Sequence, residues 1–484
     1  MYYGYFYPFN DYNLFLFLSA NTCLFIAIFY KINNSSLFDG FYFWLFFLLL
    51  FPKKSIVPNL DSILTNAVNL SDSLLINTNF SFYNIVNFFI VISVSYKIFF
   101  QSNLNLNKVS KNFFNLFISL FTVSIFANLY YNIYLLSDFA PNILSQFYHT
   151  LRIFEGVIFS VLIFISVNKK EHFNKILYLF FLTLVITIIE FYLARFTDIF
   201  PNAVKYFALD YRGGFRSFIH SGSITTGVIL FYGFIGILGM LNKSMKFIFL
   251  LPIIALPIFF TYERSTMLLI FISFFIYSYY MLNRYINVNK ISIFLLSIFL
   301  ILNLLPISNN SSIINSFNDA INYNDVDGSA IKQDGWFTFS SSDDRRGARK
   351  RALDVFYYSP IFGSGPGNLE NMMASDKVPM KANFYNMAPS EYQFYSDIAT
   401  AYHPTDPHNF YFRIIAEHGI IGIIFLMSFV YLIVSIIYKN KINNSFNILG
   451  YSGLFSILGY CFFQTAPVSF PIIFLFLSMI IFKN

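Results

Sequence analysis

The sequence predicts an all-α, polytopic membrane protein of about 12 transmembrane helices, with one large, mostly helical extracytoplasmic loop before the last three. Composition is the first reason. Of 484 residues, 57% are hydrophobic and 11% charged, where a soluble domain carries roughly 25% charged residues. The second is periodic interruption: the apolar residues, 67 Phe and 35 Tyr among them, gather into runs of about 20, the length a helix needs to cross roughly 30 Å of hydrocarbon. The third is where the positive charge falls. The formal balance is +7, and most of the Lys sits in short gaps between runs, where it sets orientation before it says anything of nucleic acid.

The runs lie near 13–31, 37–52, 80–100, 112–136, 149–168, 173–194, 217–240, 245–260, 265–282, 288–306, 410–438, 445–464 and 468–482. In lipid each must be a helix, because a helix pairs all its own backbone groups; 37–52 is short for a span. If the helices alternate, Lys108 and Lys111, Lys169 and Lys170, Lys243 and Lys246, Arg284 and Lys290, Lys439 and Lys441, and Lys483 share one side, which the orientation rule makes cytoplasmic. The chain then divides into an N-terminal membrane domain (1–306), an extracytoplasmic loop (307–409) and C-terminal membrane helices (410–484). A loop of about 100 residues is far longer than ordinary connections and suggests function. The start, MYYGYFYPFNDYN, has no basic n-region or small-residue cleavage site, so the first run is expected to remain as a span. Cys23 and Cys461 both lie in apolar runs, which supports neither a disulfide framework nor a thiolate metal site.

The informative residues are arginines on the side where few are expected. Arg212 and Arg216 stand in DYRGGFRSFIHSG, Arg264 stands in TYERSTM between two runs, and DDRRGARKR carries Arg345, Arg346, Arg349, Lys350 and Arg351. The loop holds eight Lys/Arg against twelve Asp/Glu, a net −4, so its positive charge is concentrated. In a helix over 344–358, Arg345 and Arg349 are i,i+4 and point the same way. Guanidinium forks bind phosphate oxygens bidentately and stay charged when partly desolvated. Each group has an ordinary reading: snorkelling for Arg212 or Arg216, a Glu263 partner for Arg264, a solvated face beside Asp343 and Asp344 for the cluster. Together the three groups on one face favour an anionic, phosphate-bearing ligand at the membrane surface.

His408 follows a Pro at the start of the run 410–438, at the same interface. A histidine there can take a proton near neutral pH and so deprotonate a hydroxyl; its ordinary reading is a helix cap. His403, Asp406 and His408 suggest a metal, but no second cluster completes a coordination sphere, and no metal is expected. Glu417 and His418 are read as interior contacts. The alternating glycines of SPIFGSGPGNLE, Gly363, Gly365 and Gly367, allow close backbone approach but lack the strand-to-helix setting of a nucleotide loop.

Over about 345–425, an Arg followed by an Ala-Leu helix, then SPIFGSGPGN, then PHNFYFRIIAEHGIIG, the chain resembles the O-antigen ligase and O-antigen polymerase superfamily of polytopic glycosyltransferases. RGGFRSFIHSG and YERSTMLL are weaker matches, and the layout of 12 spans with a large loop before the last three also fits. The resemblance implies that His408 is the essential loop histidine and Arg264 the Ser-Arg arginine, although Glu263 replaces the Ser. It implies that Arg212 or Arg216 is the earlier arginine. Arg345 best matches the arginine before the Ala-Leu helix, with Arg346 and Arg349 beside it.

The expected activity is therefore a metal-independent, inverting glycosyltransferase without cofactors, multi-pass in the cytoplasmic membrane with its site on the extracytoplasmic face. It would move glycan from a polyprenyl-diphosphate-linked donor to a lipid A-core or glycan acceptor; no nucleic acid partner is expected. His408 and Arg264 are the expected catalytic residues, and Arg212, Arg216, Arg345, Arg346 and Arg349 the expected diphosphate ligands. Ligase, polymerase and protein O-glycosylation remain open. The alternative class is a polyprenyl-linked oligosaccharide flippase or polysaccharide exporter, which would be expected to show internal repeats and charges near the midplane; Glu155 and Glu190 are the partial candidates.

Overall fold

A computed structural model describes residues 11–50, 82–101, 106–135, 143–196, 223–241, 264–284, 339–400, 409–440, 444–461 and 469–483, with a few single positions between. Every element among them is helical: α1 (Asp11–Asn33), α2 (Leu37–Leu50), α3 (Phe82–Tyr96), α4 (Lys108–Tyr130), α5 (Ile143–Ser166), α6 (Lys170–Phe196), α7 (Ser223–Leu241) and α8 (Arg264–Arg284) come first. After them come α9 (Phe339–Tyr358), α10 (Leu369–Met373), α11 (Pro389–Thr400), α12 (Phe410–Lys439), α13 (Ser445–Tyr460) and α14 (Ser469–Ile481). Tyr131–Leu135 extends α4 as a π-helical turn.

Four of these segments, 108–134, 145–166, 170–193 and 410–439, are long and apolar enough to cross a membrane, and five more are apolar but shorter. The described residues are thus all-helical, with the apolar helices of a polytopic membrane protein. Of the 12 spans expected, the run at 288–306 and most of that at 245–260 lie outside the described residues.

Cross-helix contacts fix the direction of each helix. At one end of the bundle, Ser110 donates to Ser160 O, Ser478 to Val167 O, Asn444 to Phe482 O and Tyr451 to Asn440 O. The start of α4, the end of α5, the end of α12, the start of α13 and the end of α14 therefore meet there, and Phe173 at the start of α6 packs on Phe446 and Phe482. Lys108, Lys111, Lys169, Lys170, Lys439 and Lys483 are exposed at this end, as alternation predicts. Glu155 is buried and paired with Arg152 at 2.9 Å, and it also accepts from Asn87, which in turn accepts from Trp44. It ties α2, α3 and α5 together inside the bundle.

The segment 339–400 builds a small core of its own. Ala348, Ala352 and Val355 of α9, Met372 and Met373 of α10, Val378 and Ile398 pack together, and Tyr131 and Ala416 from the bundle complete the cluster. Arg351, grouped with the cations of DDRRGARKR by sequence, is fully buried instead. Its guanidinium donates to Met373 O (2.8 Å), Val378 O (2.9 Å) and Ser375 O (2.5 Å) and pairs with Asp354 at 3.2 Å. Lys350 is likewise engaged, with Glu391 at 2.6 Å.

Asp354 also accepts from the hydroxyls of Tyr385 (2.9 Å) and Tyr395 (2.5 Å). Burial first, and then Asp354 through its charge and its hydrogen bonds, push both phenols above their ordinary value of 10.0. A folded-state pKa raised in this way gives stability that is complete below the unfolded value, about pH 10, and lost as pH rises beyond it. The unfolding midpoint is therefore expected to fall above about pH 10, and to fall less steeply in a Tyr385→Phe, Tyr395→Phe double variant. An equally steep decline in that variant would assign the alkaline loss to other groups.

Candidate functional site

The opposite end of the bundle carries the site. There α12 begins: Asn409 caps it by accepting from Phe412 N at 3.0 Å, and Phe410 N donates to Cys461 O at 2.9 Å, bringing the end of α13 alongside. The orientation of α8 follows from α13. Ser456 donates to Leu269 O at 3.2 Å and Ser452 to Ser273 O at 2.6 Å, so α8 runs antiparallel to α13. Its first residue, Arg264, accordingly lies toward the end of the bundle where α12 begins.

Three positive-φ glycines form the elbow between α9 and α10: Gly363 (66°), Gly365 (75°) and Gly367 (84°). This φ range is open to glycine at little cost. The elbow runs directly against α12, with Ser364 N donating to Ala416 O, Gly365 N to Glu417 O (both 2.9 Å) and Gly367 N to the Glu417 carboxylate (3.3 Å). A Cβ at Gly365 would meet Asn128 Oδ1 at 2.5 Å. α12 answers with a break of its own. Gly419, at φ 62° and ψ −143°, interrupts the helix, and Ile420 N turns to donate to Pro360 O at 2.8 Å.

Beneath the elbow lies Arg413. Its guanidinium holds Glu370 at 2.9 Å, Glu417 at 3.0 Å and Asp406 at 3.4 Å and approaches His149 Nε2 at 3.3 Å. One cation thus joins α5, α10, α12 and the strand of chain that carries His408. Beside it, Asn368 bonds both Asn128 (3.2 Å) and Gln146 (2.8 Å), fastening the elbow to α4 and α5. Glu417 and His418 make the interior contacts expected of them: His418 lies 2.9 Å from Ser124 Oγ and 3.2 Å from Ile414 O, so a single neutral tautomer satisfies both ring nitrogens.

The arginines of α9 share one helix. Arg346 is exposed, and Arg345 and Arg349 are half-buried. Burial, and then the charges of Arg345 and Arg346, lower the pKa of Arg349. The guanidiniums are thus close enough to repel one another. α9 in turn packs on α12. Arg212, Arg216 and His408 lie outside the described residues, although the neighbours of His408 do not: Pro407 and Asn409 are buried, and Asp406 is held by Arg413. Sequence reading passed over Arg413, Glu370 and His149. The Arg413–Glu417 spacing of i,i+4 was the available signal; Glu370 and His149 reach Arg413 only through the fold.

The sequence model of the family described as O-antigen ligase matches residues 247–427, a stretch that contains Arg264, the α9 arginines, the glycine elbow and the start of α12. No curated protein and no solved structure matches the chain.

Proposed function

We propose that this chain, which matches the O-antigen ligase family over residues 247–427, acts as a member of the O-antigen ligase and polymerase superfamily and moves a glycan from a polyprenyl-diphosphate carrier to an acceptor hydroxyl at the outer face of the cytoplasmic membrane. What supports this reading is that the start of α8, at Arg264, and the start of α12, beside His408, lie toward the end of the bundle away from the lysines, and that the arginine-bearing helix α9 packs on α12. Lysine-rich connectors mark the other end as cytoplasmic.

In this reading Arg264, Arg212 and Arg216 hold the diphosphate, and Arg345, Arg346 and Arg349 close over it from the loop. His408 accepts the proton of the acceptor hydroxyl as its oxygen bonds to the anomeric carbon. The bond from that carbon to the carrier breaks in the same step, with inversion, and the departing diphosphate takes the electron pair. The arginines meet the charge that develops there, which is the largest single contribution such a site makes.

The test is the glycan profile of a deletion strain complemented with His408→Ala or Arg264→Ala. Each variant is expected to insert normally and to lose transfer by at least about 100-fold, the lower range for a general base or an oxyanion donor. Polymer left on the carrier would identify a ligase, and a single repeat attached to lipid A-core a polymerase. Full activity in both variants would remove the mechanism.

A further inference from the structure

The broken helix α12 sets the depth of the membrane surface. At 1.5 Å per residue its 30 residues would span about 45 Å, well beyond the roughly 30 Å of hydrocarbon. The break at Gly419 leaves the 20 residues 420–439 after it, about 30 Å, enough for the whole apolar layer. The side chains agree with that division. All of Arg413, Glu417 and His418 precede the break, whereas Ile420, Ile424, Met427, Tyr431, Val434 and Tyr438 follow it at alternating steps of four and three and form one exposed stripe, the face turned to lipid.

The stripe does not stop at Ile420. Ile420 N bonds Pro360 O, and the next residue, Ile361, is 58% exposed. One turn back, at the end of α9, Tyr357 is also exposed, and Lys381 lies over its ring at 4.8 Å and over Phe384 at 5.5 Å. Phe384, 79% exposed, and Met380 continue the surface. Exposed apolar Ile361 is thus joined on this surface by the aromatic rings of Tyr357 and Phe384 and by the cation of Lys381, the residue types that gather at a bilayer interface.

We propose that Ile361, Tyr357, Lys381 and Phe384 form a foot by which segment 339–400 rests in the phospholipid headgroup layer, with Ile361 and the two rings among the upper acyl carbons and Lys381 beside the phosphates. The foot lies on the α9–α11 module that carries Arg345, Arg346 and Arg349, so it fixes the height of those guanidiniums above the bilayer. The proposal stands on the placement of α12 in the membrane and is independent of the transfer reaction.

The test uses the full chain with Cys23→Ser and Cys461→Ala, reconstituted in phosphatidylcholine vesicles and spin-labelled in turn at Ile361→Cys, Phe384→Cys and, as a solvent-exposed reference, Asp397→Cys. Collision rates with oxygen, which concentrates in lipid, are compared with those of a water-soluble nickel chelate. The oxygen-to-nickel ratio is expected to exceed one at 361 and 384 and to fall below one at 397. Ratios below one at both 361 and 384 would overturn the proposal. So would protection from both reagents with spin–spin broadening between labels, which would mean that a second copy of the chain covers this face.

Discussion

Replacing Arg413 with Ala is expected to be the most destabilising single change in the described protein. It leaves Glu370, Glu417 and Asp406 around a cavity with no cation, and Glu417 is 3% exposed. Breaking a buried ion pair by removing one partner costs about 3–5 kcal/mol, whereas replacing both partners by apolar groups of similar size is often neutral. The expectation is therefore twofold: a large loss of thermal stability in detergent for Arg413→Ala, and a partial recovery in the Arg413→Met, Glu417→Leu pair. Simple addition of the two single effects would show that the charges are not coupled. Glycan transfer is expected to fall with Arg413→Ala even where the protein remains folded, because Asp406 stands two residues from His408. A folded variant with full transfer would separate Arg413 from the site.

Gly419→Ala carries the next largest effect. A φ of 62° with ψ near −143° is a region that essentially only glycine enters, and forcing a side chain there costs about 1–3 kcal/mol before any clash. Here a clash is certain, since the new Cβ would meet Pro360 O at 2.5 Å and the Ile361 carbonyl carbon at 2.6 Å, both backbone atoms. The helix is expected to straighten through 419 or the elbow to detach, with faster proteolysis near 359–368 and a lowered unfolding midpoint. Gly40→Ala is the matched control. Its Cβ would meet only Ile32 Cγ2 at 3.5 Å, and an alanine in a helix gains about 1 kcal/mol over glycine, so stability is expected to hold or rise. Equal losses at 40 and 419 would refute the argument from backbone conformation.

The two changes test different parts of one device. Arg413 draws the elbow and the segment before α12 inward by charge, and Gly419 lets the backbone of α12 open to receive the elbow. Both act at the point where segment 339–400 meets the bundle, so the height and tilt of α9, and with them the positions of Arg345, Arg346 and Arg349, depend on both.

How much of this was legible beforehand varies by residue. Long apolar runs broken by lysines leave a helix little alternative in lipid, so the helical class, the approximate positions of 108–134, 145–166, 170–193 and 410–439, and the common side of their lysine connectors follow from the sequence alone. The family resemblance was legible for a related reason: the residues that carry it run from the arginines of α9 through the glycine elbow to the start of α12, within the stretch that the family model matches. The interior roles of Glu417 and His418 also followed, because a charge inside an apolar run must find a partner. Five cations in seven residues, in contrast, looked alike on paper. Packing buried Arg351 under three carbonyls and drew Lys350 to Glu391, which sets these two cations apart from Arg345, Arg346 and Arg349. That Glu370 and Asp406 join Glu417 on Arg413, that α12 breaks at Gly419, and that Arg264 lies toward the same end as the start of α12 were decided by the tertiary structure, because each depends on contacts between separate elements that no local periodicity encodes.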